Sequence, residues 1–196
     1  MEREQELIAK AKAGDVSAFE TLIVEHQKRI FAIAYRIAGN PEDAADMTQE
    51  VLVKIFKNLS KFRGNAKFST WVYRVATNTC FDEQKKLRRH ENYSLDQEIE
   101  TEDGSMAASL ADDGPTPDET AERNQVRSAV HAAIRQLGED HQKVIILRDI
   151  EGFSYDEIAD MLQCSVGTVK SRINRARATL KKILVQNREL FDDDFV

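Results

Sequence analysis

Phe153-Ser-Tyr-Asp-Glu-Ile-Ala-Asp-Met-Leu-Gln-Cys-Ser-Val-Gly-Thr-Val-Lys-Ser-Arg-Ile-Asn-Arg-Ala-Arg-Ala-Thr-Leu-Lys181 reads as a short helix, a tight turn and a second helix with a basic outer face. Ser154 can cap the first helix with Glu157 three residues on, and Ile158, Ala159 and Leu162 supply its inward stripe at helical spacing. Cys164 and Ser165 make the turn, and Ser165 is placed to cap the second helix. Val166, Val169, Ile173, Ala176 and Leu180 then recur every three or four residues, which leaves Thr168, Lys170, Ser171, Arg172, Asn174, Arg175 and Arg177 mostly outward. Those side chains donate to phosphates and base edges, and a helix of this kind fits the major groove while the preceding helix braces the backbone. From Gln163 to Arg188 there are seven Lys or Arg and no Asp or Glu. An ordinary solvated helix mixes both signs, so the pattern points to a polyanionic partner.

The formal net charge of -6 looks wrong for such a partner until the charges are mapped. Ten Asp or Glu and no Lys or Arg fall between Asp96 and Glu122, so the rest of the chain is left with a net charge of +4. With 196 residues and 41% apolar content, the chain suffices for one domain or two small helical cores, not for a large enzyme body. Cys80 and Cys164 lie far apart without a metal-binding spacing, as expected of reduced, semi-buried thiols. No apolar run approaches the roughly 18 residues that span a bilayer, and Met-Glu-Arg-Glu-Gln-Glu does not resemble a signal peptide, so no membrane insertion and a cytoplasmic location are expected.

Alternation of β-branched residues over strand lengths is missing and Gly and Pro fall at junctions, so the fold class is all-α. A first helix covers residues 2 to 13, ended by Gly14. A second starts at Asp15 or Ser17 and runs to Gly39. Asn40 can cap a third helix of about eighteen residues to Leu59, with Pro41 at its first position and Glu42 and Asp43 complementing the dipole. In it Ala44, Met47, Val51, Ile55 and Phe56 are expected to pack inward, leaving Asp43, Asp46, Gln49, Glu50 and Lys54 on another face. A loop, Ser60 to Phe68, precedes a helix that Ser69 can cap and that reaches Arg89. Residues 92 to 122 lose periodicity and have the composition of a flexible linker. Helices over about 123 to 137 and Asp140 to Ile150 then lead into the helix-turn-helix. The tail Phe191 to Val196 reads as a frayed acidic end.

A second constellation runs from Lys61 to Arg74, with Phe62, Arg63, Lys67, Phe68, Trp71, Tyr73 and Arg74 in alternation, and continues to Lys85-Lys86-Leu87-Arg88-Arg89. Aromatic rings stack on bases while cations follow phosphates, the combination that holds single-stranded nucleic acid at about 1 to 3 kcal/mol per stacked base. Taken alone, Phe62, Phe68, Trp71 and Tyr73 read more readily as core. Trp71 lies in the first turn of its helix, beside a polar loop and on the face of Arg74, Asn78 and Lys85, and is therefore expected to be at least partly exposed.

Together the two constellations resemble the sigma subunits of bacterial RNA polymerase, specifically the extracytoplasmic-function (ECF) group of the sigma-E and sigma-W kind. Asp43-Ala-Ala-Asp46-Met-Thr-Gln49-Glu50-Val-Leu-Val-Lys-Ile-Phe56 is similar to the polymerase-binding helix of the family's second region, and Phe62-Arg63-Gly64 through Phe68-Ser69-Thr70-Trp71 to Asn78 to its promoter-melting part. Ser154 to Ala159 with Val166 to Arg172 resembles the fourth region. The resemblance implies two small domains, residues 1–91 and 123–190, joined by the acidic linker 92–122. It implies that Asp43, Asp46, Gln49 and Glu50 dock on the clamp helices of the large subunit of core RNA polymerase, whose flap is a further contact. It implies a -10 site of Arg63, Asn65, Ala66, Lys67, Trp71, Tyr73, Arg74 and Asn78, in which Asn65, Ala66 and Lys67 take a base turned out of the duplex and Trp71 and Tyr73 stabilise the opened strand. It implies a -35 reader of Thr168, Lys170, Ser171, Arg172, Arg175 and Arg177, and an anti-sigma factor as regulatory partner.

Promoter elements two turns of B-DNA apart lie about 70 Å apart. Thirty residues stretch to about 100 Å or average about 30 Å as a coil, so the linker permits both to be read. Its acids could also occupy a cationic channel of the polymerase. An autonomous repressor or activator is the rival reading. Enzyme chemistry has no support, since His26, His90, His131 and His141 lack a Glu three residues before them, and neither a nucleophile motif nor a glycine-rich phosphate loop occurs. No catalytic residue, metal or cofactor is expected.

Overall fold

The computed structural model describes residues 2–95, 126 and 128–186. Most of the linker expected over 92–122, the start of the helix expected at 123, and the tail from Phe191 lie outside these residues. Among the described residues every regular element is helical. The chain divides into two compact units, the first built on the N-terminal helices and the second on the C-terminal ones.

In the first unit α1 spans Glu2–Lys12, and Gly14, at φ +97°, turns the chain in the left-handed region that L side chains disfavour. Of the two caps expected for the next helix, Asp15 is the one used. Its carboxylate accepts from the Ala18 amide at 3.0 Å and opens α2, Val16–Ala38. Leu22, Ile23, Ile30, Ile33, Ala34 and Ile37 form the buried stripe of α2, which ends at Gly39 in the left-handed conformation with its N–H bonded to the Tyr35 carbonyl. Asn40 then accepts from the Asp43 amide at 2.8 Å and Pro41 takes the first position of α3, Pro41–Asn58. A 3-10 turn, Leu59–Lys61, leads to the loop.

The fourth helix, α4, spans Phe68–Leu95. It begins one residue before Ser69, with the Trp71 amide bonded to the Lys67 carbonyl at 3.1 Å, so Ser69 lies inside the first turn rather than capping it. At its other end it runs four residues into the segment expected to be linker. The helices α2, α3 and α4 pack on one another, and α1 packs on α2. Gln84 Nε2 donates to the Ile37 carbonyl at 2.7 Å, which satisfies one of the orphan acceptors at the end of α2 and pins α4 there. Cys80 is fully buried in this core, and burial pushes its thiol up to about 12, far from a reactive thiolate at neutral pH.

Ala44, Met47, Val51 and Ile55 of α3 are buried as the spacing predicts. Phe56 is not: the residue is 40% exposed, and its ring meets Phe19 of α2 edge-on at 5.0 Å. Ile55 and Phe56 are adjacent and so point about 100° apart on the helix, and Ile55 takes the core position.

The second unit contains α5 (residues 128–135), α6 (Glu139–Ile145), α7 (Tyr155–Leu162) and α8 (Val166–Gln186). After Ile145 the helix widens into a π turn, Ile146–Ile150, where one uninterrupted helix was expected. Val144, Ile145, Ile146 and Leu147 are all buried. Four consecutive side chains sweep most of a helix circumference, so this segment is enclosed on nearly every side and forms the middle of the unit.

Candidate nucleic-acid and polymerase interfaces

The helix-turn-helix of the second unit is fixed at both corners by short polar side chains. Ser154 Oγ accepts from the Glu157 amide at 3.2 Å while the Ser154 amide donates to the Glu157 carboxylate at 2.9 Å, a reciprocal cap at the start of α7. The turn itself rests on Gln163, a non-glycine residue at φ +52°, which the sequence did not single out. Ser165 Oγ accepts from the Thr168 amide at 3.1 Å and starts α8. Val169, Ile173 and Ala176 are buried, and Lys170, Asn174, Arg175 and Arg177 are exposed. Thr168, Ser171 and Arg172 are half-buried, with Ser171 Oγ donating to the Thr168 carbonyl at 2.9 Å.

The basic side chains of α8 are not equivalent. Arg177 makes a fork to Asp149, with Nε donating at 3.0 Å and Nη2 to the second oxygen, and Arg172 Nη2 lies 3.3 Å from Asp140. Both guanidinium groups therefore brace α8 against the preceding helix and turn. Lys170 lies 6.0 Å from the centre of the Tyr155 ring, and Arg148 stacks on that ring at 4.6 Å. Periodicity placed the cations of α8 outward, but it could not tell which ones the unit itself would bind.

In the first unit Arg63, Gly64, Asn65, Ala66 and Lys67 are all exposed, and Gly64 has φ +77°. Beneath this loop the aromatic residues close on one another: Phe62 and Phe68 at 5.4 Å, Phe62 and Trp71 at 5.5 Å, Phe68 and Trp71 at 5.9 Å. Lys12 of α1 lies 5.6 Å from the centre of the Phe62 ring and donates to the Phe62 carbonyl. Trp71 is only 7% exposed and Tyr73 5%, which corrects the expectation that Trp71 shows part of its ring. Phe62 and Phe68, on either side of the loop, pack on the Trp71 ring and cover the face that helical periodicity alone leaves outward. Arg74 is half-buried and Asn78 exposed on the next turns.

Tyr73 packs deeper, with its hydroxyl 2.9 Å from His26 Nδ1 and the Arg29 guanidinium 5.1 Å from its ring centre. His26 also meets Phe68 at 5.7 Å between centroids. Burial, opposed by Glu25 and Glu4, holds the His26 pKa below its ordinary 6.5. A lowered pKa means the fold favours the neutral ring. The stabilisation from this group is thus complete above about pH 6.5 and is lost as the pH falls through the folded-state pKa. The denaturation midpoint of the first unit should decline on acidification below pH 6.5, and His26→Gln should flatten that decline; an unchanged slope in the variant would refute this assignment.

On α3, Asp46, Gln49 and Glu50 are exposed on one face, as expected. Asp43 differs from them: it is half-buried and its carboxylate accepts from Asn40 Nδ2 at 2.7 Å, so it closes the helix start. Val53, 43% exposed, and Phe56 continue the face of Gln49 and Glu50 toward the C-terminus, and sequence reasoning had not placed them there.

Comparison with known proteins divides the chain at the same two sites. The family model Sigma-70 region 2 matches residues 22–90, and Sigma-70, region 4 matches residues 127–180. The RNA polymerase sigma-H factor of Pseudomonas aeruginosa is 35% identical over 185 residues, 93% of this chain and 94% of the relative. The ECF RNA polymerase sigma factor SigW of Bacillus subtilis is 34% identical, covering 90% and 94%, and the ECF sigma-E factor of Escherichia coli is 34% identical, covering 90% and 92%. Among solved structures, the sigma factor RpoE in complex with the anti-sigma factor NepR from Bartonella quintana matches with TM-score 0.64 at 25% identity, over 92% of this chain and all of that one. CnrH in complex with the cytosolic domain of CnrY matches with TM-score 0.63 at 25% identity, covering 94% and 98%.

Proposed function

We propose that this chain, which belongs to the extracytoplasmic-function sigma factors, binds core RNA polymerase and directs it to promoters through two separate DNA-reading sites. The observation that carries the reading is their pairing on one polypeptide: an exposed polar loop on an aromatic platform in the first unit, and a braced basic helix-turn-helix in the second. Residues 1–95, to the end of α4, form the domain for core binding and the -10 element, 96–122 the tether, and 123–190 the domain for the -35 element.

At the -10 element Asn65, Ala66 and Lys67 capture a base, with Arg63, Arg74 and Asn78 on the strand beside it. Flipping and unstacking cost a few kcal/mol, which contacts to the captured base offset without catalytic chemistry. Trp71 supports the loop through the flanking rings of Phe62 and Phe68, and Tyr73 acts one step further off, through His26, which meets Phe68. At the -35 element Lys170 and Arg175 contact bases or adjacent phosphates, helped by Thr168 and Ser171, while Arg172 and Arg177 set the angle of α8.

Polymerase docking uses Asp46, Gln49 and Glu50 for steering and register, and Val53 and Phe56 as apolar anchors at the end of the same face; Asp43 contributes by shaping the helix start. Val53→Gln with Phe56→Gln should weaken core binding by about 30-fold or more, as loss of two anchors worth over 1 kcal/mol each does, while the variant stays folded by circular dichroism. Equal affinity for core would remove these two residues from the interface. By analogy with the solved sigma factor bound to the anti-sigma factor NepR, an anti-sigma factor is the regulatory partner.

In vitro transcription with purified core enzyme and a genomic library tests the whole reading. New, specific start sites should arise only when the chain is added. Identical start sites with and without it would sink the proposal, and tight operator binding without polymerase would favour an autonomous regulator instead.

A further inference from the structure

His26 of α2 meets the first two turns of α4 at two places. Its ring lies 5.7 Å from that of Phe68, tilted by 59°, and meets the Tyr73 ring edge-on at 5.4 Å, with Nδ1 2.9 Å from the Tyr73 hydroxyl. Phe68 is the residue at which the exposed loop returns to the bundle, and Phe62 the residue from which it departs. The two rings pack against each other at 5.4 Å, so their seating fixes both ends of residues 63–67. Phe62 has a tie of its own, since Lys12 Nζ donates to its carbonyl at 2.5 Å. His26 bears on the Phe68 side.

The charge on the imidazole decides how well it serves there. A neutral ring offers Phe68 an uncharged flank and Tyr73 one hydrogen-bond partner. In the imidazolium both nitrogens donate and neither accepts, so a tyrosyl hydroxyl that donates to Nδ1 must turn away. Burial is the largest influence against the charged form. Glu25 of α2 and Glu4 of α1 oppose it, while Arg29, three residues on along α2 and 5.1 Å from the Tyr73 ring, adds to it. From α4 the titratable group that faces the ring is Tyr73. The net direction is a pKa below the ordinary 6.5, so the ring is uncharged at neutral pH and gains its proton as the pH falls through the folded-state value.

We propose that His26 is a positioning residue for the -10 loop: uncharged, it holds Phe68 and Tyr73 in the seating that presents residues 63–67, and its protonation releases that seating, so that capture of a single-stranded base weakens on acidification. The inference rests on reading that loop as the -10 site. It makes promoter opening, and not only the stability of the first unit, depend on one proton.

Binding of the holoenzyme to a single-stranded -10 oligonucleotide, measured from about pH 8 down to about pH 5.5 at fixed ionic strength, tests this. The wild-type affinity should hold near neutral pH and then fall by up to about tenfold per pH unit below the His26 pKa, the limit for one proton that removes the binding-competent state. Proton NMR of the full chain locates that pKa independently, the His26 signal being the one that His26→Gln removes. His26→Gln keeps a polar partner for Tyr73, and His26→Phe keeps a ring against Phe68. Neither titrates, so the ratio of wild-type to variant affinity should fall with the pH for whichever variant folds, while affinity for core stays equal in the two chains. An imidazole that titrates with no change in that ratio, one that stays neutral to the lowest pH at which the chain is folded, or a parallel loss of core affinity overturns the proposal. If the wild-type holoenzyme binds the oligonucleotide at no pH, the -10 reading itself is wrong and this inference falls with it.

Discussion

Lys170→Ala with Arg175→Ala should lower initiation at promoters that need the -35 element by at least about 30-fold, while a premelted template carrying only the -10 element is used at the wild-type rate. The magnitude follows from about 1 to 3 kcal/mol for each good base contact, added for two separated positions. The structure makes the choice of residues specific. Both side chains are exposed, whereas Arg177 is held by Asp149 and Arg172 by Asp140. Exposed ion pairs contribute about 1 kcal/mol or less, so Arg177→Ala should cost far less than the double change. Its effect should also be matched by Asp149→Ala, because either substitution removes the same brace. If Arg177→Ala proves as damaging as the Lys170 and Arg175 pair while Asp149→Ala is silent, then Arg177 leaves its partner on binding and reads DNA directly.

The pattern of what could be read from sequence follows from the range of the forces involved. Caps are local: Asn40 with Asp43, Ser154 with Glu157 and Ser165 with Thr168 each join residues three apart, and each was legible before any tertiary structure was known. Helical stripes are also local, and Ile30, Met47, Val51 and Ile173 all lie where periodicity puts them. Side chains whose neighbours come from distant sequence were not legible. The fork from Arg177 to Asp149 spans 28 residues, and the contact between His26 and Tyr73 spans 47. Phe56 shows the limit from the other direction, since hydrophobicity predicted burial and only the packing of Ile55 beside it determined which of two adjacent apolar side chains enters the core. The candidate sites follow the same rule: the exposed loop and the basic face of α8 were readable, whereas the division of labour among the cations and rings was not.

Trp71→Ala should destabilise the first unit by about 3 to 5 kcal/mol, a large part of the about 5 to 15 kcal/mol available to a small domain, and should abolish promoter opening through loss of the loop's support. Phe62 and Phe68 both meet the Trp71 ring, so truncation leaves a cavity directly beneath residues 63–67. Trp71→Phe keeps an aromatic ring between Phe62 and Phe68 and leaves a smaller cavity than Ala, so it should cost less stability and retain most of the opening activity. Because Trp71 is the lone tryptophan of the chain, its emission reports on this site without labelling. In the free protein the emission should be blue-shifted and shielded from acrylamide, as a ring only 7% exposed requires. Promoter binding should leave that shielding in place if the ring supports the loop from below. An accessible tryptophan in the free chain, or one strongly quenched by stacking when single-stranded -10 DNA is added, would return Trp71 to the DNA-contacting role that its sequence position alone suggests.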